Sequence, residues 1–341
     1  MNTSNRFFSL LVTLLGISFL AFFLIRLAPG DPVMLLTGER GADAEQYQAM
    51  VAQLGIDRPL FSQFLIFMGN AVTGDFGSSV VSRQPVLNEL LARWPATIEL
   101  GVSAMVIALL LGIPAGVIAA LNRNKVVDFV VMAASLVGYS MPIFWWGLIL
   151  ILFFSIGLDL TPVSGRVNIL YDIEPVTGFM LIDSLLPNVY QEYGFTAFLS
   201  ALSHLILPAF AMATIPIAVF ARMTRSSMLE VLGEDYIRTA KAKGLSHYRI
   251  IWIHALRNAL IPIVTVGGIL FITSVITGAI LTETIFGWPG IGSYLVNSVY
   301  ARDYPVIQGA ILLIGVFVIL TNSVIEQLYL IANPKMRSKQ S

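Results

Sequence analysis

Residue types that could perform chemistry are sparse in this 341-residue chain. The absence of cysteine excludes disulfides, thiolate catalysis, iron–sulfur clusters and cysteine-bound zinc. The three histidines, His204, His247 and His254, lack the spacing of metal ligands. The hydrolase signature Gly-x-Ser-x-Gly and the zinc-protease signature His-Glu-x-x-His are both missing, as is the nucleotide-binding loop Gly-x-x-x-x-Gly-Lys-[Ser/Thr]. We therefore expect no catalytic residue, no metal and no cofactor in this chain, which should not bind ATP itself.

Carboxylates give a similar result. Tyr171-Asp172 matches half of an intramembrane aspartyl protease signature, but the Gly-x-Gly-Asp half is missing. Glu99, Glu283 and Glu326 stand near the ends of apolar runs and are interpreted as residues of the membrane boundary. Glu283 also precedes an aromatic-proline turn, which makes it a candidate residue of an outer gate.

The polar segment 222–257 interrupts a chain that is 57% hydrophobic and only 12% charged. Residues 234–243 have the pattern of a short capped helix, about 15 Å long. Acids at its start and Lys241 near its end suit the helix dipole, and Gly244 is expected just past its end. Leu245 can supply the closing apolar contact, and Ser246 can cap the next helix. Such a rigid peg suits a groove on a soluble partner, but the residues alone leave a solvated loop that enforces topology equally open.

Six apolar runs surround this segment, at residues 7–25, 100–121, 129–158, 205–221, 258–282 and 304–325. A helix rises about 1.5 Å per residue, so roughly 20 residues cross the ~30 Å hydrocarbon core. Backbone polar groups in lipid must be satisfied within the segment, which favours helices. The run at 205–221 reaches this length only by extending back through Ser203. We predict an all-α integral membrane protein with six transmembrane helices.

The distribution of basic residues predicts the orientation. Segment 222–257 carries seven Lys and Arg, whereas segment 283–303 carries one, Arg302. The positive-inside rule then puts both termini in the cytoplasm. The resulting division is a transmembrane helix at 1–28, a long periplasmic segment at 29–96, a five-helix core at 97–332 that includes the 222–257 loop, and a cytoplasmic tail at 333–341. In the periplasmic segment, helical spacing of Phe61, Phe64, Leu65 and Met68 predicts a helix that packs or forms a lid.

Several stretches together resemble the permease subunits of binding-protein-dependent ABC importers, in the dipeptide, oligopeptide and nickel group. The resemblance covers almost the whole chain and is closest to the first dipeptide permease subunit. It is carried by residues 222–245 and 254–262, and by the motifs Pro29-Gly-Asp-Pro32, Gly138-Tyr-Ser-Met-Pro-Ile-Phe-Trp-Trp-Gly147, Leu160-Thr-Pro-Val-Ser-Gly-Arg166, Glu283-Thr-Ile-Phe-Gly-Trp-Pro-Gly290 and Arg302-Asp-Tyr-Pro305.

The resemblance implies that the peg is the coupling helix, which sits in a cleft of the ATPase subunit in this family. The implied coupling residues are Glu234, Asp235, Tyr236, Arg238, Thr239, Ala240, Lys241, Ala242 and Gly244. The general motif of such permeases begins Glu-Ala-Ala six residues before its glycine, whereas this chain has Arg238-Thr239-Ala240. The implied partners are a second homologous permease, two ABC ATPase subunits that bind ATP and Mg, and a periplasmic or lipid-anchored substrate-binding protein. The implied location is the bacterial inner membrane, with lipid around the spans and no nucleic acid involved.

The expected function is import of short peptides, with dipeptides favoured, driven by ATP hydrolysed in the partner subunits. Nickel complexes, haem and longer peptides are alternative cargoes. Uncharged residues of the second, third and fifth spans are candidates for the pathway, namely Ser140, Met141, Thr265 and Thr273, with Glu283 at the gate. An ion-coupled secondary carrier is the main rival, although such carriers keep ionisable groups near the bilayer centre and show inverted repeats. A structural scaffold gives no reason for the capped peg.

Overall fold

The computed structural model describes residues 12–23, 48 and 57–332. The regular structure of these described residues is helical, apart from an isolated β-bridge between Ser78 and Pro85. This confirms the all-α prediction. The described helices are α1 Val12–Phe23, α2 Leu60–Val72, α3 Val86–Leu121, α4 Val126–Ser140, α5 Ile143–Leu150, α6 Met180–Asp183, α7 Pro187–Tyr193, α8 Thr196–Leu232, α9 Asp235–Ala242, α10 His247–Arg249, α11 Leu256–Thr273, α12 Ala279–Ile285, α13 Ile291–Tyr300 and α14 Tyr304–Ala332.

Three of these helices are long and apolar enough to cross a membrane, and two bent helix pairs raise the number to as many as five. The three are Val86–Leu121, Thr196–Leu232 and Tyr304–Ile325. The predicted first span at 7–25 is described only as the twelve-residue helix Val12–Phe23, and the rest of it lies outside the described residues. Six spans and cytoplasmic termini therefore stay predictions.

Two helices extend well beyond the apolar runs that predicted them. Helix α3 begins at Val86, inside the segment assigned to the periplasm, and α8 runs from Thr196 through Leu232 rather than 205–221. Hydropathy detects only the part of a helix that suits lipid, so polar turns that continue the same helix escape it.

The predicted third span is sharply broken. Helix α4 and the segment Ile143–Gly157 meet at an angle of 108°. Pro142 immediately precedes the second piece, which begins at Ile143. Proline is disfavoured inside a helix, so one continuous helix through this position is unfavourable. The run at 129–158 is therefore two helices rather than one straight rod.

The chain divides into two compact units, Met1–Trp94 with Tyr294–Leu320, and Pro95–Ser293 with Thr321–Ser341. This division differs in kind from the topological domains predicted above, which stay predictions. In the first unit, the helix predicted around Phe61–Met68 is confirmed as α2, and its periplasmic side stays a prediction. Phe64 of α2 packs edge-on against Phe22 of α1 with ring centroids 5.4 Å apart, while Phe61 and Leu65 remain exposed.

The core of the second unit contains a ridge of small and aliphatic residues on α3. Ala96, Leu100, Ala104 and Ala108 recur at every fourth position and are fully buried. They pack in one cluster with residues of α8, where the facing positions Ala209 and Ala213 also have small side chains. Small residues at this spacing let two helix backbones approach closely. Such close packing drives helix association in a membrane, where lipid is as apolar as the side chains and the hydrophobic effect does not favour contact between helices.

Three short π-helical segments continue α-helices in the second unit, at Ile151–Gly157, Ile250–Ala255 and Ser274–Gly278. The wider turn rotates the residues that follow it relative to a continuous α-helix. The second segment connects α10 to α11, and so joins the polar peg to the predicted fifth span.

Candidate coupling surface and outer polar cluster

Helix α9 is closed at its C-terminal end by the glycine that its sequence predicts. Gly244 has φ +74°, and its N–H donates to Lys241 O at 3.0 Å. Leu245 N–H donates to Ala240 O at 3.3 Å, which completes the Schellman pattern. Ser246 then caps the next helix by accepting from Arg249 N–H. The predicted stop, closing contact and restart of the chain are all confirmed.

One face of α9 is anchored on its own chain. Ile237 is fully buried and Ala240 is 8% exposed. Both belong to an apolar cluster with Val117 and Ala120 at the end of α3, Met228 near the end of α8, and residues of the second π-helical segment. Helix α9 is therefore docked on its own chain, against the ends of three helices.

The opposite face of α9 is exposed. It presents the side chains of most of the predicted coupling residues, Glu234, Asp235, Arg238, Thr239, Lys241, Ala242 and the backbone of Gly244. Arg238 Nη1 lies 3.2 Å from Asp235 Oδ1, but both side chains are largely exposed, so this ion pair contributes little to stability. The exposed face of α9 is therefore a short polar surface on which the Arg238–Asp235 ion pair is solvent-exposed.

Two predicted coupling residues make contacts inside the chain. Ala240 faces the anchoring cluster rather than solvent. Tyr236 is partly exposed, and its hydroxyl accepts a hydrogen bond of 2.7 Å from Asn258 Nδ2 at the start of α11. The sequence analysis missed Ile237 as the main anchor, although its spacing of three from Ala240 is the usual signal of an inward face.

Helices α3 and α8 are in close contact at two glycines in the C-terminal half of α3. A Cβ atom added at Gly116 would lie 2.5 Å from both Ala221 O and Thr224 Cβ. At Gly112 it would lie 2.8 Å from Phe220 Cβ. No side chain fits there without moving one helix, so these two glycines set the contact distance.

A buried ion pair ties the same part of α8 to α4. Arg225 Nη2 donates to Asp128 Oδ2 at 2.7 Å and Arg225 Nε to Oδ1 at 2.5 Å. The Asp128 side chain is 6% exposed and that of Arg225 is 25% exposed. Asn124 N–H adds a third donor at 3.0 Å. Sequence analysis missed this pair, because each residue reads separately as an ordinary charge of a polar loop.

The structure describes the side chains of three of the four uncharged pathway candidates. Ser140 Oγ donates to Leu136 O and Thr273 Oγ1 to Ile269 O, and both side chains are exposed. Met141 is half-buried at the break between α4 and α5. The side chain of Thr265 lies outside those described. Their role in a pathway stays a prediction.

Glu283 is fully buried in a polar cluster, which we name the outer polar cluster after its predicted side of the membrane. Its position at a membrane boundary or an outer gate stays a prediction. Its Oε1 accepts from Thr97 Oγ1 at 2.6 Å and its Oε2 from Ser293 N–H at 2.9 Å. Glu283 lies beyond the segments that could cross a membrane. Burial raises the pKa of Glu283 to about 7, against the lowering effect of the Thr97 hydroxyl.

Glu99 and Arg166 continue this cluster. Arg166 Nη2 pairs with Glu99 Oε2 at 2.5 Å, and both side chains are nearly buried. The guanidinium also lies over the ring of Trp288, 5.3 Å from its centroid, and Trp288 Nε1 donates to Ala96 O at 2.9 Å. The cluster therefore fixes the turn after α12 against the loop that carries Arg166, which is predicted to be outside, and against the start of the α3 ridge. The aromatic-proline turn after Glu283 was the sequence signal that pointed to this cluster. The sequence did not reveal that Thr97 and Arg166, which lie far from Glu283 along the chain, belong to the same cluster.

Comparison with known proteins agrees with this architecture. Residues 112–338 match the family model described as "Binding-protein-dependent transport system inner membrane component", and residues 3–101 match the corresponding N-terminal model. The chain is 54% identical to the di/tripeptide transport system permease protein DppB of Pseudomonas aeruginosa, covering 99% of this chain and 98% of that one. It is 50% identical to the dipeptide transport system permease protein DppB of Escherichia coli, over 96% of both chains. It is also 40% identical to the glutathione transport system permease protein GsiC of Escherichia coli, over 98% of both.

Identity at this level over nearly the full length fixes the family, and the apolar helices agree with its setting in the membrane. The chain belongs to the inner membrane components of binding-protein-dependent transport systems, as a multi-pass permease subunit.

Proposed function

We propose that this chain is the dipeptide permease subunit of an ABC importer, forming half of the path for short peptides across the inner membrane. The assignment of dipeptides as the cargo rests on the near-full-length similarity to permeases named for dipeptides and di/tripeptides, at 50–54% identity. The more distant glutathione permease also handles a short peptide by its name, which supports the cargo class.

The energy comes from partner chains. Two ABC ATPase subunits bind ATP and Mg, and this chain contributes no nucleotide site. A second homologous permease completes the path, and a periplasmic or lipid-anchored binding protein delivers the peptide. Membership of a binding-protein-dependent family supports this assembly.

The exposed face of α9 is the contact with the ATPase. Support comes from its two-sided construction, in which Ile237 and Ala240 anchor the helix while Arg238 and Lys241 stay exposed. A peg that was merely a solvated loop would need no buried anchor.

Movement of the peg reaches the membrane helices through rigid contacts. The anchoring cluster joins α9 to α3, α8 and the π-helical start of the predicted fifth span. Gly116 keeps α3 and α8 in close contact, and Tyr236 is hydrogen-bonded to Asn258 at the start of α11. A displacement of α9 therefore carries three helices together, and alternating access follows if the bundle has two packings of similar energy.

Uptake in reconstituted vesicles tests this function. Proteoliposomes that contain this chain with its second permease and ATPases should accumulate a labelled dipeptide only when ATP and the loaded binding protein are both supplied. Omitting this chain should abolish uptake. Accumulation by vesicles holding this chain alone, driven by a proton or sodium gradient, would instead support an ion-coupled carrier and refute the importer.

A further inference from the structure

A cavity of about 570 Å³ opens between the start of α4 and the facing side of α8. It is lined by Asn124, Lys125, Val126, Asp128, Phe129, Met132 and Arg225. All of these residues belong to the second compact unit. The cavity lies beside the Arg225–Asp128 ion pair, and its lining includes no residue of the exposed face of α9 or of the outer polar cluster.

The polar wall of the cavity has a net positive charge. Arg225 is held in place by its two hydrogen bonds to Asp128, and this carboxylate is thereby neutralised. Asp128 is the one carboxylate among the lining residues and it pairs with Arg225, so the charge of Lys125 is not neutralised within the lining. Arg123 lies in the adjoining turn. Asn124, with φ +63°, turns the chain so that its N–H also points to Asp128, which fixes the loop that carries Lys125. The wall therefore presents preset positive charge.

The other wall is apolar and continues into a surface suited to lipid. Val126 and Phe129 are 77% and 76% exposed. Val130 and Val137 extend the exposed apolar surface along α4, which together with Ile143–Gly157 forms a bent candidate span. A charged pocket that opens directly onto an apolar helix surface matches a molecule with an anionic head and a hydrocarbon tail.

We propose that this cavity binds the headgroup of an anionic phospholipid, with the phosphate at Lys125 and Arg225 and an acyl chain along Phe129. The proposal rests on the orientation given above, in which the 122–128 turn is cytoplasmic. Anionic lipid of that leaflet is attracted to basic residues beside a span, and basic pockets between membrane helices bind such headgroups. A free phosphate ion would use the polar wall alone and leave the apolar wall without a role.

Binding of lipid to the purified full-length chain tests this site. Native mass spectrometry in detergent should show a retained phosphatidylglycerol, and a phosphatidylcholine with the same acyl chains should be retained far less. Lys125→Gln should weaken phosphatidylglycerol binding about fivefold, since each basic residue near an anionic surface contributes about 1 kcal/mol. Lys125→Arg should restore it. Arg58→Gln, which removes an equally exposed charge on the predicted outer side, should leave binding unchanged.

Three results would overturn the site. One is equal retention of the two lipids by the unaltered chain, and another is unchanged binding in Lys125→Gln. The third is displacement of phosphatidylglycerol by millimolar inorganic phosphate, which would mean that the cavity recognises the phosphate ion only. The assay involves no transport, so a failure here leaves the importer function standing, and absence of dipeptide uptake leaves lipid binding standing.

Discussion

Arg225 on α8 and Asp128 on α4 are 97 residues apart in sequence, yet their side chains form a two-pronged ion pair at 2.5 and 2.7 Å. Arg225 stands seven residues before the end of α8, beyond which the chain continues into α9. The pair therefore links the end of α8 that leads into α9 to the first helix of the bent pair at Val126–Gly157. A displacement of α8 at this level acts on α4 directly.

Breaking this pair should uncouple α4 from α8. Arg225→Ala leaves the Asp128 carboxylate, whose side chain is 6% exposed, without its main hydrogen-bond donor, and the loss of one partner of such a pair is destabilising. We expect a lower melting temperature and a lower ratio of peptide imported to ATP hydrolysed in the reconstituted transporter. Reversing the pair, with Asp128→Arg and Arg225→Asp together, should recover part of both. If the double variant is no better than either single one, the residues do not act through each other.

Neighbouring residues of α9 should fail in different ways. Ile237→Ala removes buried aliphatic volume, which typically costs 2–5 kcal/mol, so we expect the 233–246 segment to become sensitive to limited proteolysis. Arg238→Ala changes only the exposed face and should leave the proteolytic pattern intact while lowering ATP-driven uptake. Equal proteolytic sensitivity of the two variants would contradict the two-sided docking of the helix.

Gly244 tests the closing turn of α9. Its φ of +74° is unfavourable for an alanine, but no atom would lie within 4 Å of an added Cβ. Gly244→Ala should therefore cost about 1 kcal/mol from backbone strain alone. Gly244→Asn should cost less, because asparagine tolerates this conformation. Thermal unfolding of the two variants measures the difference, and a larger loss in the asparagine variant would show that an unrecognised contact occupies this surface.

Glu283 should make the stability of the chain depend on pH. Its pKa is raised from 4.5 to about 7 by burial, so the folded chain retains a proton that the unfolded chain loses. The stabilisation is complete below about pH 4.5, falls as the pH rises to about 7, and is level above that. In the Glu283→Gln variant this contribution cannot titrate. The melting temperature of the unaltered chain relative to that variant should fall between about pH 4.5 and about pH 7. Parallel melting curves across this range would count against the raised pKa.

Local signals in the sequence were sufficient to predict helix α9 but not the residues that surround it. Gly244, Leu245 and Ser246 act on their own neighbours, so the end of α9 and the restart of the chain could be predicted residue by residue. Which face of α9 docks depends on Val117 and Met228, which come from distant helices.

The partners of the buried carboxylates could not be predicted from the sequence, because they too come from distant segments. Glu99 and Glu283 resemble ordinary boundary charges until Arg166 and Thr97 are seen beside them. The long helices were underestimated because hydropathy detects lipid-compatible turns and not helix continuity. The break at Pro142 was signalled by the proline, but its angle of 108° depends on packing.

The most direct test of the account is photocross-linking from the exposed face of α9 in the assembled transporter. A photoreactive amino acid at Ala242, which is exposed on that face, should give a covalent product with an ATPase subunit, and the yield should change when ATP is added. The same amino acid at Ile169, 97% exposed in the predicted outer loop, should give none. An Ala242 variant that assembles and transports but forms no product with any ATPase subunit would contradict the central claim that this face receives the motion of the ATPase.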